Sequence, residues 1–435
     1  MKKILFTSYY YDFSRFFSKI ADALMEMEDV TLNVEFVSFY PSAQYYINKK
    51  TKYISNPLYK IRRGSNKKEP NYHEIYNYSL IVNPELNKYL DEIENEAASI
   101  KEFWEEKLKG VDLIVSSGDT RPQTVIMLEV AKSYNIKVVF FEQGPFGTTV
   151  LDTNGVNGNS SFNSSYSLIN DDILSIITNK RKHEKYIKEL TLLDRGFKYI
   201  DLLYMMPPLF FKKYFPIYTQ TGDSFFVRLK NKISSRKNKR DIEINLDAFE
   251  NIALLALQVP YDAQMIYHSP NYKTQEEMFF SVLDNLPEGV TLIVREHPLF
   301  KGRYNKDLYD AISENSDRVI IDNSNSLDNQ LSKSAVVIVN NSMTGLDALL
   351  KRKSVIVLGD AWYGDENIVY LLNNKSQLKD IIISALNNPK DQKNLLYFLT
   401  ELYEDYLFKC HFQDLKFDDK DVLEISNFII NKLEV

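Results

Sequence analysis

Between Val290 and Asp360 the chain repeats one pattern that few folds can accommodate. The run V-T-L-I-V-R-E-H-P is apolar until it ends in Arg295, Glu296, His297 and Pro298. Forty residues on, A-V-V-I-V-N-N-S-M-T-G-L-D-A-L-L-K-R-K-S-V-I-V-L-G-D places two short apolar runs around a helix start marked by Ser342, Thr344 and Gly345. Near-continuous apolar strands, each followed by a polar tip and a helix, are the pattern of a parallel sheet buried on both faces. Ligands of such sheets bind beyond the carboxyl ends of the strands, where both polar tips fall.

With 435 residues, 44% of them apolar, the chain exceeds what one core supports, so two α/β domains are expected. The first covers residues 1–170. Its expected strands are Lys2–Ser8, Leu32–Phe39, Val111–Ser116 and Ile136–Phe141, with helices Phe13–Met27, Asn83–Lys109 and Gln123–Tyr134. Lys49–Tyr72 reads as a loop or insertion. Residues 171–245 form a helical and basic connection, in which Tyr199–Lys213 reads as an amphipathic segment. The second domain covers 246–400. Its expected strands begin at Asn251, Val290, Val319, Ala335 and Ser354, with helices Thr274–Leu286, Leu308–Glu314, Leu327–Lys333 and Met343–Lys351 between them. Helices follow over Gln392–Leu407 and Lys420–Leu433, and residues 401–435 form C-terminal helices of which the last is expected to return to the first domain.

A net charge of −6 offers no global positive field for nucleic acid. The run Arg228–Arg240, R-L-K-N-K-I-S-S-R-K-N-K-R, reads either as a solvated linker or as a contact for anionic lipid. RNA ranks behind both, since no recognition module accompanies the run. One cysteine, Cys410, excludes a disulfide within the chain and a thiolate metal cluster, and fits a reducing compartment. The N-terminal M-K-K-I-L-F-T-S reads as a buried strand rather than a signal peptide. No run of 18 apolar residues is present, so no membrane span is expected. These features point to a cytoplasmic protein, with the inner face of the membrane as its alternative address. The 29 Tyr and 26 Phe suit a sugar-binding surface, or simply a biased composition.

His297 sits at a strand tip and is kept extended by Pro298. There its imidazole suits donation to a phosphate oxygen, or a capped structural role. Arg295 is a second phosphate contact or a partner of Glu296. Asn340, Asn341, Ser342 and Thr344 open a helix and make either an anion site or a plain cap. Gly345 there allows close backbone approach. No G-K-S or G-K-T follows that glycine, and no G-x-G-x-x-G opens the first domain, which argues against Walker and dinucleotide chemistry. Gln258, Asp262 and His268 follow the first strand of the second domain, as ligand contacts or turn residues. In the first domain, S-S-G-D-T-R-P brings Asp119 and Arg121 to a strand tip. The stretch F-F-E-Q-G-P-F-G-T-T-V-L-D-T-N-G-V-N-G-N-S-S brings Glu142 and Asp152. A carboxylate so placed deprotonates a hydroxyl, attacks an anomeric carbon, or caps a turn.

In order and spacing these segments, over about residues 110–165 and 250–365, resemble the capsule polysaccharide biosynthesis family, whose members include bacterial β-Kdo glycosyltransferases. The matching pieces are the acidic-x-Arg turn at Gly118–Arg121, G-V-N-G-N-S at Gly155–Ser160 with Asn157, and Gln258 with Pro260. His297 with Pro298, and Ser342 with Thr344 and Gly345, complete the set. Where family members often carry Glu-Gly-Tyr-Leu-Arg, this chain has Gln143-Gly144-Pro145-Phe146-Gly147, so the family's arginine is missing. The resemblance implies two Rossmann-like domains facing each other across a cleft, in a GT-B-like arrangement. It implies transfer of Kdo from a CMP-activated donor to a glycan or glycolipid acceptor, with no cofactor and no metal. Donor contacts would come from His297, Pro298, Ser342, Thr344, Gly345 and Arg295. Glu142, Asp152 or Asp119 would supply catalysis, with Asp152 the nucleophile of a retaining reaction, and Arg121, Asn157, Gln258 and Asp262 further substrate contacts. A UDP-, GDP- or CMP-sialic-acid-like donor, or a non-catalytic sugar-binding scaffold, remains the alternative.

Overall fold

The apolar runs become strands, and the strands sort into two sheets. The computed structural model describes residues 1–27, 31–61, 64, 69, 71–179, 190–205, 216 and 244–434. The basic run Arg228–Arg240, residues 206–213 of the aromatic segment and residues 180–189 of the helical connection lie outside the described residues. In chain order the strands are β1 (Lys2–Ser8), β2 (Leu32–Ser38), β3 (Ser55–Pro57), β4 (Leu113–Ser117), β5 (Lys137–Gln143) and β6 (Thr149–Asp152). They continue with β7 (Ile252–Ala256), β8 (Thr291–Arg295), β9 (Val319–Ile321), β10 (Val336–Val339), β11 (Ser354–Val357), β12 (Tyr370–Leu371) and β13 (Leu407–Phe408). The chain divides into two compact units, Met1–Ser161 with Asn179–Phe225 and Tyr406–Val435, and Phe162–Thr178 with Phe226–Asp405.

The first unit is built on a sheet of order β13-β6-β5-β4-β1-β2-β3. Its pairs are parallel except β5 with β6 and β6 with β13. Alternation along β1 sends Ile4 and Phe6 to one face and Leu5 to the other. The first face packs Phe16, Phe17, Phe141, Phe408, Ile425 and Ile429, from helices Tyr11–Met25 and Asp419–Glu434 and their neighbours. The second packs Ile93, Ile100, Trp104 and Ile126 from helices Leu90–Lys107 and Pro122–Ser133. The second unit has the order β12-β11-β10-β7-β8-β9, all parallel. Leu255, Phe279, Leu292, Val294, Ile338, Ile356 and Ile382 fill its core.

In each sheet the chain reverses its direction of travel once. In the first, β1 runs outward through β2 to β3, and β4 then returns to the opposite side of β1. In the second, β7 runs through β8 to β9, and β10 returns beside β7. These two switch points, β1/β4 and β7/β10, are where neighbouring loops diverge and leave a crevice at the strand ends.

Several elements differ from expectation. Asn83–Lys109 is a 3₁₀ turn, Pro84–Tyr89, followed by the helix Leu90–Lys107. Lys49–Tyr72 contains β3, and a helix over Pro41–Lys50 precedes it. The helix expected over Gln392–Leu407 stops at Glu401 and widens into a π turn, Leu402–Tyr406, before β13. The cause is tertiary. The Tyr406 hydroxyl bonds Asp152 at 2.5 Å, and Leu407 pairs with Val150. No helix among the described residues is long and apolar enough to cross a membrane.

A clasp within the second unit follows Phe162. The carboxylate of Glu401 accepts from the backbone N–H groups of Ser165, Tyr166, Ser167 and Leu168, at 2.6, 3.2, 2.6 and 3.0 Å. The hydroxyls of Ser164, Ser165 and Ser167 also donate to it, at 2.7, 2.9 and 3.2 Å. These bonds to the ionised form hold the buried carboxyl well below the usual carboxylate range, against the upward push of burial.

Candidate functional site

At the second unit's switch point, the β7 tip is flanked by those of β8 and β10, since Ala256 lies opposite Arg295 and Leu255 opposite Ile338. Gln258 bridges them. Its side-chain N–H donates to Asn341 Oδ1 at 3.1 Å, and its carbonyl accepts the Tyr304 hydroxyl at 2.9 Å. The Tyr304 oxygen in turn accepts the backbone N–H of His297 at 3.1 Å. The structure thus brings Gln258, His297 and Asn341–Ser342 to one end of one sheet, with buried Gln258 as the brace.

His297 is half-buried. Burial pushes its pKa below the ordinary 6.5, and the nearby Asp262 carboxylate pulls it partly back. Its Nδ1 accepts the Leu299 N–H at 3.3 Å, which leaves Nε2 as the protonated, donating nitrogen of a neutral ring. A cationic His297 is therefore not the resting form. Asp262 caps the helix Ala263–Tyr267 through Gln264 N–H at 3.0 Å, and burial raises its pKa. Pro298 is exposed beside His297. Arg295 turns away from this group. Its Nη1 donates to Asn325 O at 2.9 Å and Gln330 Oε1 at 2.7 Å, so the phosphate contact expected of it is replaced by a bond that fixes the loop after β9.

Ser342 and Thr344 are half-exposed, and Ser342 Oγ accepts Thr344 N–H at 3.0 Å. Gly345 is buried instead. A Cβ there would lie 2.3 Å from Tyr363 Oη and 2.9 Å from Cζ. The glycine therefore admits Tyr363, whose hydroxyl donates to the Ser342 carbonyl, and its close approach is to that ring. Gly345→Ala should destabilise the second unit by about 1–3 kcal/mol through overpacking, as read by urea denaturation. An unchanged midpoint would mean that Tyr363 yields freely.

The first unit's switch point gathers the other candidates. Asp119 follows β4, and its Oδ2 accepts Val156 N–H at 3.1 Å and Asn159 Nδ2 at 2.9 Å. The G-V-N-G-N-S loop therefore wraps this carboxylate. A Cβ at Gly155 would lie 2.5 Å from the Asn159 Cβ and 3.0 Å from Asp119 Oδ2. Glu142 lies at the β5 tip, adjacent to β4 in the sheet. Burial raises its pKa and the Asp119 charge adds to the rise, while the N–H of Gln143 at 2.8 Å, Arg121 and a hydrogen bond from Asn157 oppose it. Arg121 lies 4.9 Å from the Tyr9 ring centroid, and the Tyr9 hydroxyl meets Thr124 Oγ1 at 2.9 Å. Asp119, Arg121, Glu142 and Asn157 thus form one constellation.

Asp152 stands apart from it. Only 2% exposed, it accepts Asn154 N–H at 2.6 Å on Oδ1. Its Oδ2 accepts Ser161 N–H, Ser161 Oγ and the Tyr406 hydroxyl at 2.7, 2.9 and 2.5 Å. Those bonds lower its pKa despite burial. Oδ1 also accepts Gly155 N–H at 3.4 Å, so both oxygens are engaged in anchoring the loop rather than presented to a ligand. Tyr9, Tyr304 and Tyr363 complete the two sites and are not among the ligand groups expected from the sequence, whereas Asn341 is. Only the Tyr9-Tyr10-Tyr11 run at the end of β1 carried a signal. Among the described residues no three His, Cys, Asp or Glu side chains gather as a metal-holding group.

Two Rossmann-like α/β units, each with polar side chains gathered at its switch point, define a protein that is GT-B-like in domain composition. The chain belongs to the capsule polysaccharide biosynthesis protein family, whose model matches residues 112–398. It is 28% identical over 189 residues to Protein FixF of Sinorhizobium fredii. That match covers 43% of this chain and 45% of the relative, so it spans less than half of that protein. Among solved structures it is similar to the KpsC beta Kdo 2,7 transferase of Thermosulfurimonas dismutans, at 16% identity and a TM-score of 0.39, covering 97% of this chain and 99% of that one. It is also similar to UDP-GlcNAc 2-epimerase from Neisseria meningitidis, at 13% identity and a TM-score of 0.33, covering 99% and 100%.

Proposed function

We propose that the protein is a glycosyltransferase of surface polysaccharide biosynthesis, moving Kdo from a CMP-activated donor to a glycan or glycolipid acceptor. The observation that carries this reading is the second unit's switch point, where a neutral His297 with a donating Nε2–H joins Ser342 and Thr344 at one sheet end. Such donors suit the phosphate of a departing CMP, and a water-poor setting strengthens them as charge develops. The choice of CMP and Kdo rests on the family resemblance of the His297-Pro298 and Gly155–Ser160 segments.

In this reading the first unit supplies the proton and carbon chemistry. Asp119 has no hydrogen bond on Oδ1 among the described residues, and it bonds the anomeric carbon as the carbon–oxygen bond to CMP breaks. CMP leaves with the electron pair. Glu142 then takes the proton of the acceptor hydroxyl as that oxygen displaces Asp119, so configuration is retained. Asp152 positions the loop that carries Asn157.

Calorimetric titration with CMP, UDP and GDP in buffer containing EDTA tests the donor class. CMP should bind and the other two should bind far more weakly. His297→Ala should weaken CMP by about 10- to 100-fold, the worth of one hydrogen bond to a charged group. Equal binding of all three nucleotides would remove the CMP assignment, and an unchanged CMP affinity in the variant would remove His297 from the site.

A further inference from the structure

The helix Leu192–Met205 in the first unit is turned inside out. Its inward face carries the buried carboxylates Asp194 and Asp201 beside Phe197, whose ring stacks on Tyr45 at 4.0 Å. Asp194 accepts Thr191 Oγ1 at 2.8 Å, the Tyr45 hydroxyl at 3.2 Å and Lys50 at 3.3 Å. Asp201 accepts the Ser42 backbone N–H at 2.9 Å, and Lys198 donates to Asp12 at 2.8 Å. The opposite face is in solvent and, apart from Arg195 and Gly196, apolar. Leu192 is 87% exposed, Tyr199 66% and Leu203 64%, with Leu193 and Leu202 beside them at 72% and 44%. Spacings of seven and four put Leu192, Tyr199 and Leu203 on one stripe. A solvated helix normally shows the reverse distribution, and a cluster of exposed leucines marks a surface that meets something apolar.

We infer that this face docks onto an anionic lipid surface. The sequence downstream separates lipid from a protein partner. Residues 206–215, M-P-P-L-F-F-K-K-Y-F, are apolar and aromatic with two lysines, and Arg228–Arg240 holds seven Lys and Arg without a single acid. A protein groove would be matched by the leucine stripe alone. Apolar side chains followed along the chain by a dense run of positive charge match the two attractions of a bilayer with acidic headgroups.

Co-sedimentation of the full chain with vesicles of phosphatidylcholine, with and without phosphatidylglycerol, tests this. The wild type should partition onto the vesicles containing phosphatidylglycerol and less onto phosphatidylcholine alone. The variant Leu192→Gln/Tyr199→Gln/Leu203→Gln should partition at least about tenfold more weakly, since three partly inserted side chains are lost. Its circular dichroism should match the wild type, because these side chains support no core. Partition is independent of turnover, so the result separates from that of the transferase reading. A wild type left in the supernatant, or a triple variant binding as tightly as the wild type, overturns the inference. So does a solution dimer that the variant abolishes while vesicle binding persists.

Discussion

Glu142→Gln is expected to lower turnover by about a thousandfold, the usual scale for removing a general acid–base group. Its side chain keeps its size and the hydrogen bond to Gln143 N–H, so the loss isolates proton transfer. CMP affinity should be unchanged, because the proposed nucleotide contacts lie in the second unit. The pH profile adds a check that a merely structural role would not pass. Burial and the Asp119 charge hold the Glu142 pKa above the ordinary 4.5. A base must be deprotonated, so wild-type activity should rise as pH climbs through that raised value. The variant should lose this limb. Undiminished turnover, or an unchanged limb, would place the proton chemistry elsewhere.

Glu401→Ala is expected to destabilise the second unit by about 3–5 kcal/mol at neutral pH. It leaves the N–H groups of Ser165, Tyr166, Ser167 and Leu168 without their acceptor. The chain offers a specific reporter. It has two tryptophans, Trp104 in the first unit and Trp362 in the second. The Trp362 ring lies 6.4 Å from Phe162, close to the clasp. In a Trp104→Phe background, urea unfolding followed by Trp362 should shift to lower denaturant. The pH dependence follows from the depressed pKa. A carboxyl ionised more readily when folded contributes stability above its unfolded value near 4.5, and loses it as pH falls through the folded value. The gap between wild type and variant should therefore narrow below about pH 4.5. A gap constant from neutral to acid pH would mean that the charge of Glu401 does not hold the clasp.

Strands buried on both faces announce themselves locally, which is why β1, β8, β10 and β11 could be read from runs such as I-L-F and V-V-I-V. Their polar tips could be read with them, and the switch points then follow from strand order. Side-chain commitments could not be read. Asp119 and Asp152 both sit near strand ends among small polar residues, and no local pattern says which one a distant tyrosine will occupy. Tyr406 lies 254 positions from its partner Asp152. Arg295 followed a similar rule, since its partner Gln330 is 35 residues away. Gly345 carried the signature of a ligand-facing glycine, yet the neighbour that requires it, Tyr363, comes later in the chain. β13 has only two residues, too few for any periodicity, and owes its existence to the edge that β6 offers.

That late edge bears on how the molecule is made. Phe408, Ile425 and Ile429 belong to the same core as Phe6, Phe16 and Phe17. A ribosome releases the whole intervening unit before it supplies them. The half synthesised first is thus the half completed last, and during translation it waits with one sheet edge and one helix-sized apolar face uncovered. Domains generally mature in the order of synthesis, and here the order is inverted for part of the structure. Truncation at residue 405 should therefore cost the nascent N-terminal half its solubility, while the later-made unit has all its strands in hand.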